Sequence, residues 1–171
     1  MVVVVDEFRI SRVFDAPRER VFAAWTEAAR FAQWWGPAGF TNPVCRIDLR
    51  LGGAYYANMR SPEGIDHPCH GKYLEIVPPE RLVMTMSTDG HPAGFYEMLN
   101  RHRREIGEPE REHGLQIHMT VLFEEIRAGR TGLTVVQRFD PASDARVVGK
   151  MGASEGWGGS LDRLATLVAH P

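Results

Sequence analysis

The sequence predicts an α+β fold: a curved antiparallel sheet with a long C-terminal helix laid over one face. Three observations predict it. Two-residue alternation of apolar and polar side chains dominates from about Val44 to Phe139, with turn-forming residues between the segments. Two short helical segments separate a first strand from that run. The end of the chain, roughly Ala145 to Ala169, carries apolar side chains at helical spacing. Strands joined by tight turns favour a meander. A curved sheet needs an apolar cover, and the terminal helix is the one available.

Each element has its own signal. Phe8, Ile10, Arg12 and Phe14 share one face of the first strand, Phe8 to Phe14. Asp15-Ala16-Pro17 stops it, and Pro17 suits the first turn of a helix running to about Trp25. Thr26 is the expected cap of a second helix carrying Phe31, Trp34 and Trp35, which ends at Gly36-Pro37. Strands are then predicted over Val44–Asp48, Ala54–Arg60, His67–Val77, Leu82–Ser87, Leu115–Glu124 and Thr131–Phe139. The turns between them include Gly52-Gly53, Ser61-Pro62-Glu63-Gly64 and Pro78-Pro79-Glu80. The stretch from Thr88 to Gly114 breaks the rhythm. Phe95, Met98, Leu99, His102 and Ile106 there predict an amphipathic helix followed by a charged loop. Ser143 or Asp144 is the expected cap of the last helix.

Bulk composition narrows the function classes. The chain has 171 residues, 43% hydrophobic and 25% charged, with a net charge of −2. A chain of this length buries roughly 70% of its unfolded surface. Twenty basic against 22 acidic residues give no bulk attraction to nucleic acid or an anionic membrane. No apolar run approaches the ~20 residues of a spanning helix. The start, Met1-Val-Val-Val-Val5-Asp6, reads as an extended arm or strand start rather than a secretory leader. Two cysteines, Cys45 and Cys69, make no disulfide framework. A cytoplasmic protein is the resulting expectation.

The run Arg12-Val-Phe-Asp-Ala-Pro17, then Val21-Phe22-Ala-Ala-Trp25-Thr26, then Trp34-Trp35-Gly-Pro37, resembles the opening of the activator of heat-shock-protein-90 ATPase homologue family. That family belongs to the START-like, SRPBCC superfamily. Further matches follow in order: Asp48-Leu-Arg50 with Gly52-Gly53, Gly71-Lys-Tyr73-Leu-Glu75-Ile76, Pro79-Glu-Arg81-Leu82, and Gly156-Trp157 with Leu161-Asp-Arg-Leu164. The resemblance implies a helix-grip fold: a curved seven-stranded antiparallel sheet around a long C-terminal helix, with two short helices after the first strand. Residues 1–171 then form a single START-like domain with a helical insertion, 88–114, between strands. The insertion is longer than the family's typical segment. The chain lacks the separate N-terminal domain of the eukaryotic chaperone activators, so stimulation of the chaperone ATPase does not carry over. The resemblance transfers no catalytic residue.

The candidate sites follow from strand phase. An interior cavity is expected to be lined by Trp35, Tyr55, Met59, Tyr73, Met84, Met119, Phe123, Trp157 and Leu161, binding a hydrophobic or aromatic small molecule. A filled core with no ligand explains the same residues. Arg12 and Glu75 are in phase with inward-facing neighbours, so they either orient a polar ligand group, act as an acid/base pair, or meet separate structural partners. His67, Cys69 and His70, with His113 and His118, are metal-ligand types. Strand alternation splits them between two faces, so no metal is expected. The absence of a Gly-x-Ser-x-Gly elbow, a Walker loop and a dinucleotide fingerprint points away from acyl-enzyme and nucleotide chemistry. No cofactor is expected.

Trp157 lies on the apolar stripe Val147, Met151, Trp157, Leu161, Leu164 and Val168, the natural lid of the cavity. Gly149, Gly152, Gly156 and Gly159 share the opposite face, where the helix bends or a second copy packs to give a homodimer. The helix around Phe95 to Ile106 is a flap over the cavity mouth, a dimer contact or an ornament on the outer face. The leading expectation is therefore a binding protein without catalysis. The rivals are a polyketide cyclase-, dehydratase- or hydrolase-like enzyme, which needs Glu75, Arg12, Tyr73 and Gln137 to converge in the pocket, and a co-chaperone with a chaperone partner.

Overall fold

In the computed structural model, which describes residues 6–170, the chain runs in the order strand, two helices, four strands, helix, two strands, two helices. The extended arm expected at residues 1–5 lies outside the described residues. The strands are β1 (Glu7–Phe14), β2 (Thr41–Ile47), β3 (Ala54–Arg60), β4 (Asp66–Val77), β5 (Arg81–Ser87), β6 (Gln116–Arg127) and β7 (Arg130–Phe139). The helices are α1 (Arg18–Thr26), α2 (Ala28–Phe31), α3 (Ala93–Glu105), α4 (Asp144–Lys150) and α5 (Ala153–Val168). All seven strands form one sheet in the order β1-β7-β6-β5-β4-β3-β2, and every neighbouring pair is antiparallel. This is the predicted α+β, helix-grip arrangement.

The topology explains why the two short helices come where they do. β1 and β2 are consecutive strands at opposite edges of the sheet. The chain between them must cross the whole sheet, and α1 and α2 do so while burying Val21, Phe22, Trp25 and Phe31. The meander then returns strand by strand until β7 pairs with β1. The β2 edge carries Pro43, which is exposed, and a register shift between Thr41 and Val44. Proline donates no backbone hydrogen bond, so an edge strand is where a sheet tolerates it.

Two local expectations are corrected. Thr26 does not cap α2. It is the last residue of α1, and its hydroxyl donates back to the Phe22 carbonyl one turn earlier at 2.9 Å. Neither Ser143 nor Asp144 caps the last helical segment. Ser143 sits at the cap position of α4 without a side-chain bond, and the Asp144 carboxylate is turned onto Arg103 instead. The long C-terminal helix is α5, and the bend expected of the glycines falls before it: Gly152 adopts φ 82° between α4 and α5, a left-handed conformation that side chains with a Cβ resist.

The inner face of the sheet, α1, α2 and α5 share one apolar core. Its densest part is aromatic. Trp25 lies 4.8 Å from Trp34 and 6.2 Å from Trp157 between ring centroids, and Phe31 stacks on Trp35 at 4.7 Å. The Phe22 and Phe123 rings meet edge to face at 5.2 Å. The Trp34 indole N–H donates to the Ala24 carbonyl at 2.9 Å, so its burial carries no unpaired donor.

Candidate functional site

The core does not fill the whole space under the helices. A cavity of about 270 Å³ remains between the inner sheet face and the α4–α5 segment. Its walls come from Trp35, Met59, Cys69, Met86, Ile117 and Phe139. Val148, Met151, Ala153 and Trp157 form its roof, and His91 and Phe95 bring the α3 region to its edge. The Gly152 break between α4 and α5 also borders it, as does Gly156, where an added Cβ would meet nothing within 4 Å.

The Trp35 wall is held from α5. Gly36 takes φ 96°, and a Cβ there would sit 3.1 Å from the Met59 sulfur. Arg163 donates to the carbonyls of Trp35 at 3.1 Å, Pro37 at 3.1 Å and Phe40 at 2.9 Å, and also to that of Gly36. The Ser160 hydroxyl donates to the Gly36 carbonyl as well, and the Asn42 amide reaches the Trp35 carbonyl at 2.8 Å. The turn is therefore locked by side chains, which fixes the indole of Trp35 as a rigid wall.

On the opposite side, the loop after β5 positions His91. The Leu115 N–H donates to the Thr88 hydroxyl at 2.7 Å, and the Gly114 N–H to the Asp89 carboxylate at 2.9 Å. The latter bond and those from Gln116 and Ser87 outweigh the effect of burial and hold the Asp89 carboxyl below its usual range. The α3 helix that follows is tied down by a buried ion pair. Arg103 donates to both carboxylate oxygens of Asp144, at 2.9 and 2.8 Å, and both side chains are 1% exposed. This bidentate pair joins α3 to α4 beside the cavity roof.

Cys69 and His91 face one another inside, with Sγ 4.0 Å from Nε2. Burial pushes the Cys69 thiol up to about 12, the Trp35 indole beside it pulling weakly the other way. Burial, reinforced by His67, pushes the His91 imidazole down to about 4. Both groups are thus neutral at pH 7. That is the reverse of a thiolate–imidazolium pair, which needs a lowered thiol and a raised imidazole. His70 lies on the other face of β4 and contacts the Asp89 carbonyl, and His118 is exposed. Among the described residues no three His, Cys, Asp or Glu side chains group closely enough to hold a metal ion.

Of the residues predicted to line the cavity, Trp35, Met59 and Trp157 do so. Met84, Met119, Phe123 and Leu161 face the same interior but are packed solid. Tyr73 is buried beside Tyr55, with ring centroids 5.6 Å apart, and the Tyr55 hydroxyl donates to the Thr85 carbonyl. Burial raises both phenols well above their ordinary value.

Glu75 lies outside. A bulge after Tyr73 shifts the register, so Tyr73 pairs with Met84 but Glu75 pairs with Val83 and points to the outer face. Its side chain is 46% exposed and meets Arg81 at 3.2 Å. Arg12 keeps its inward phase, but β1 is an edge strand, and its guanidinium reaches out to Asp162 on α5 at 2.7 Å. The two do not form an acid/base pair.

Phase reasoning missed Ile117, Phe139 and His91. A second groove, of about 670 Å³, crosses the outer sheet face past Tyr56, His70, Lys72, Thr85, His118 and Arg138. It is larger but carries the exposed side chains of Lys72, His118 and Arg138, whereas no charged side chain lines the cleft under the helices, which is the stronger candidate.

The comparisons with known proteins agree with this architecture. A solved protein from Chromobacterium violaceum is 30% identical, with a TM-score of 0.70 over 95% of this chain and 96% of that one. An AHSA1 protein from Silicibacter pomeroyi is 25% identical, with a TM-score of 0.68 over 95% of this chain and 97% of that one. A protein from Nitrosomonas europaea shares the fold at 23% identity, with a TM-score of 0.76 over 98% and 97% of the two chains. No curated protein matches. Among the described residues no helix is long and apolar enough to cross a membrane. The family model of the Activator of Hsp90 ATPase homolog 1-like protein matches residues 15–169, from the end of β1 through α5, and this chain belongs to that family.

Proposed function

We propose that the protein is a receptor for an apolar or aromatic small molecule, held in the cavity between sheet and α4–α5 without chemical conversion. One observation carries the reading: a solvent-open, mainly apolar cleft of about 270 Å³ lies between the sheet and α4–α5, beside a core packed with aromatics. Apolar walls wetted in such a cleft gain by contact with an apolar ligand, at roughly 25 cal/mol per Å² removed from water. Family membership supports a ligand-binding helix grip. Binding without catalysis is supported by the fate of the acid/base candidates. Glu75 and Arg12 are engaged with Arg81 and Asp162 outside the cavity, and Cys69 and His91 are both held neutral.

Native mass spectrometry tests the reading. Gently desolvated protein is expected to carry an extra small-molecule mass that denatured protein lacks. Gly156→Leu places a side chain in the cavity and is expected to lose that mass while remaining folded. Equal native and denatured masses, with unchanged tryptophan fluorescence across a panel of aromatic compounds, would sink the proposal.

A further inference from the structure

We propose that the outer face of the sheet is a docking surface for an acidic segment of a partner protein, held by a row of Arg46, Lys72, His118 and Arg138. This face lies across the sheet from the cleft, so the proposal goes beyond the receptor reading and is independent of it.

Strand register builds the row. Arg46 on β2 pairs with Tyr56 on β3, and Tyr56 pairs with His70 on β4. Lys72 follows two residues later on the same face. Its backbone N–H donates to the Thr85 hydroxyl on β5 at 3.0 Å. Thr85 pairs with His118 on β6, and His118 pairs with Arg138 on β7. Their chain neighbours Tyr73, Met119 and Gln137 are buried in the inner face, which fixes the row on the outside. Arg46, Lys72, His118 and Arg138 are all exposed. From Lys72 to Arg138 the row crosses three strand spacings, roughly 14 Å. The groove of about 670 Å³ runs along it.

The charge along this row is unbalanced. Glu7 is shared between Arg9 at 3.4 Å and Arg138 at 3.5 Å. Asp66 is held by Arg60 at 2.7 Å. Asp89 accepts from the Gly114 N–H and the Gln116 amide. Asp140 is the one acidic residue among those described that borders the groove. Among the described residues neither Arg46 nor Lys72 is ion-paired, and the Arg46 guanidinium lies over the Tyr56 ring, 5.1 Å from its centroid. The chain as a whole carries a net charge of −2, so this excess is local. A local excess of this kind orients an approaching anion and slows its departure.

The partner's chemistry follows from what the row offers. Guanidinium and ammonium groups donate to carboxylates, and the Thr85 hydroxyl, already accepting from Lys72, has its proton left for a ligand oxygen. A single-stranded nucleic acid needs open aromatic faces on which its bases stack. Tyr55 and Phe139 at the groove are buried, and Arg46 covers Tyr56. An acidic polypeptide needs no such platform. An extended peptide advances about 3.3 Å per residue, so roughly five residues reach from Lys72 to Arg138.

Fluorescence anisotropy of a labelled hexapeptide of alternating Asp and Glu tests the proposal. A hexapeptide of Asn and Gln and a short oligothymidylate are the comparison probes. The acidic peptide is expected to bind at least about tenfold tighter than either, and to weaken as salt rises from about 20 mM to about 0.3 M. Lys72→Glu with Arg138→Glu is expected to lower its affinity at least about tenfold. Arg101→Glu with Arg127→Glu makes the same change in net charge on α3 and at the far end of β6, and is expected to keep the affinity within about threefold. Lys72→Glu alone alters one exposed side chain and carries the test where the double variant fails to fold. Acidic peptide binding no tighter than neutral peptide, equal losses in the two double variants, or tighter binding of oligothymidylate would overturn the proposal. None of these results bears on the cleft.

Discussion

The two ends of the space between sheet and helices are built from the same residue types and reach opposite results. At one end, Trp25, Phe31, Trp34, Phe22 and Phe123 interlock with Leu161 and Leu164, and nothing is left open. At the other, Trp35, Trp157, Met86, Ile117 and Phe139 surround a void. The difference lies in what closes each end. The solid end is closed by α1 and α2, which lay aromatic side chains directly on the sheet. The hollow end is closed by a bent helix and by α3, which the buried Arg103–Asp144 pair ties to α4. Aromatic content alone therefore does not mark a ligand site; the geometry of the cover does.

Substitutions that probe the two ends should separate them, and the largest separation is expected from large-to-small changes. Trp25→Ala removes a fully buried ring from the solid end and should cost about 3–5 kcal/mol in chemical denaturation. Met151→Ala on the cavity roof should cost about 1 kcal/mol, because its side chain already borders empty space. Equal losses would erase the distinction.

Asp144→Ala should cost about 3–5 kcal/mol, since it strands the Arg103 charge in a site with no solvent. The double change Arg103→Met with Asp144→Leu should cost less than Asp144→Ala alone, by the same measurement. A double variant worse than the single would mean that packing, not charge, holds α3 to α4.

Acid sharpens the contrast further. His91 accepts its proton at about 4 in the folded state and near 6.5 when unfolded. The unfolded chain therefore binds more protons between those values, and stability falls as pH drops through that window. The expected loss is about 2–3 kcal/mol, complete near pH 4. His91→Phe should flatten this part of the stability–pH curve. The smallest effect is expected at Gly156→Ala, a gain of about 1 kcal/mol in thermal or chemical stability, because the new Cβ enters open space within a helix.

Sequence patterning made the sheet readable and the cavity only half readable. Alternation places Tyr73, Met84 and Met119 on the inner face, where they are found. It cannot say how far along each strand the cover lifts off. The void lies one inward-facing step further on: at Met86 rather than Met84, at Ile117 rather than Met119, and at Phe139. Glu75 fails for a different reason. One extra residue in β4 reverses the phase after Tyr73, and no residue in Leu74-Glu75-Ile76 announces it. His91 sits in a loop whose shape is set by contacts to Leu115 and Gly114, more than twenty residues away in the chain. No local pattern could have aimed it inward. The break at Gly152 was visible as one of four spaced glycines. Of these, Gly156 borders the cavity and Gly159 packs beside Ala38 of the same chain.

An open sheet has two rims where backbone groups lack partners, and such rims invite growth into fibrils. Here β1 is shielded by α4 and α5. The β2 rim is contacted by α2, Pro43 withholds a donor there, and the Thr41–Val44 irregularity shifts the strand's register. A second molecule approaching that rim meets a template it cannot extend. The fold thus carries an apolar cleft under its helices while its β2 rim offers a poor template for strand addition.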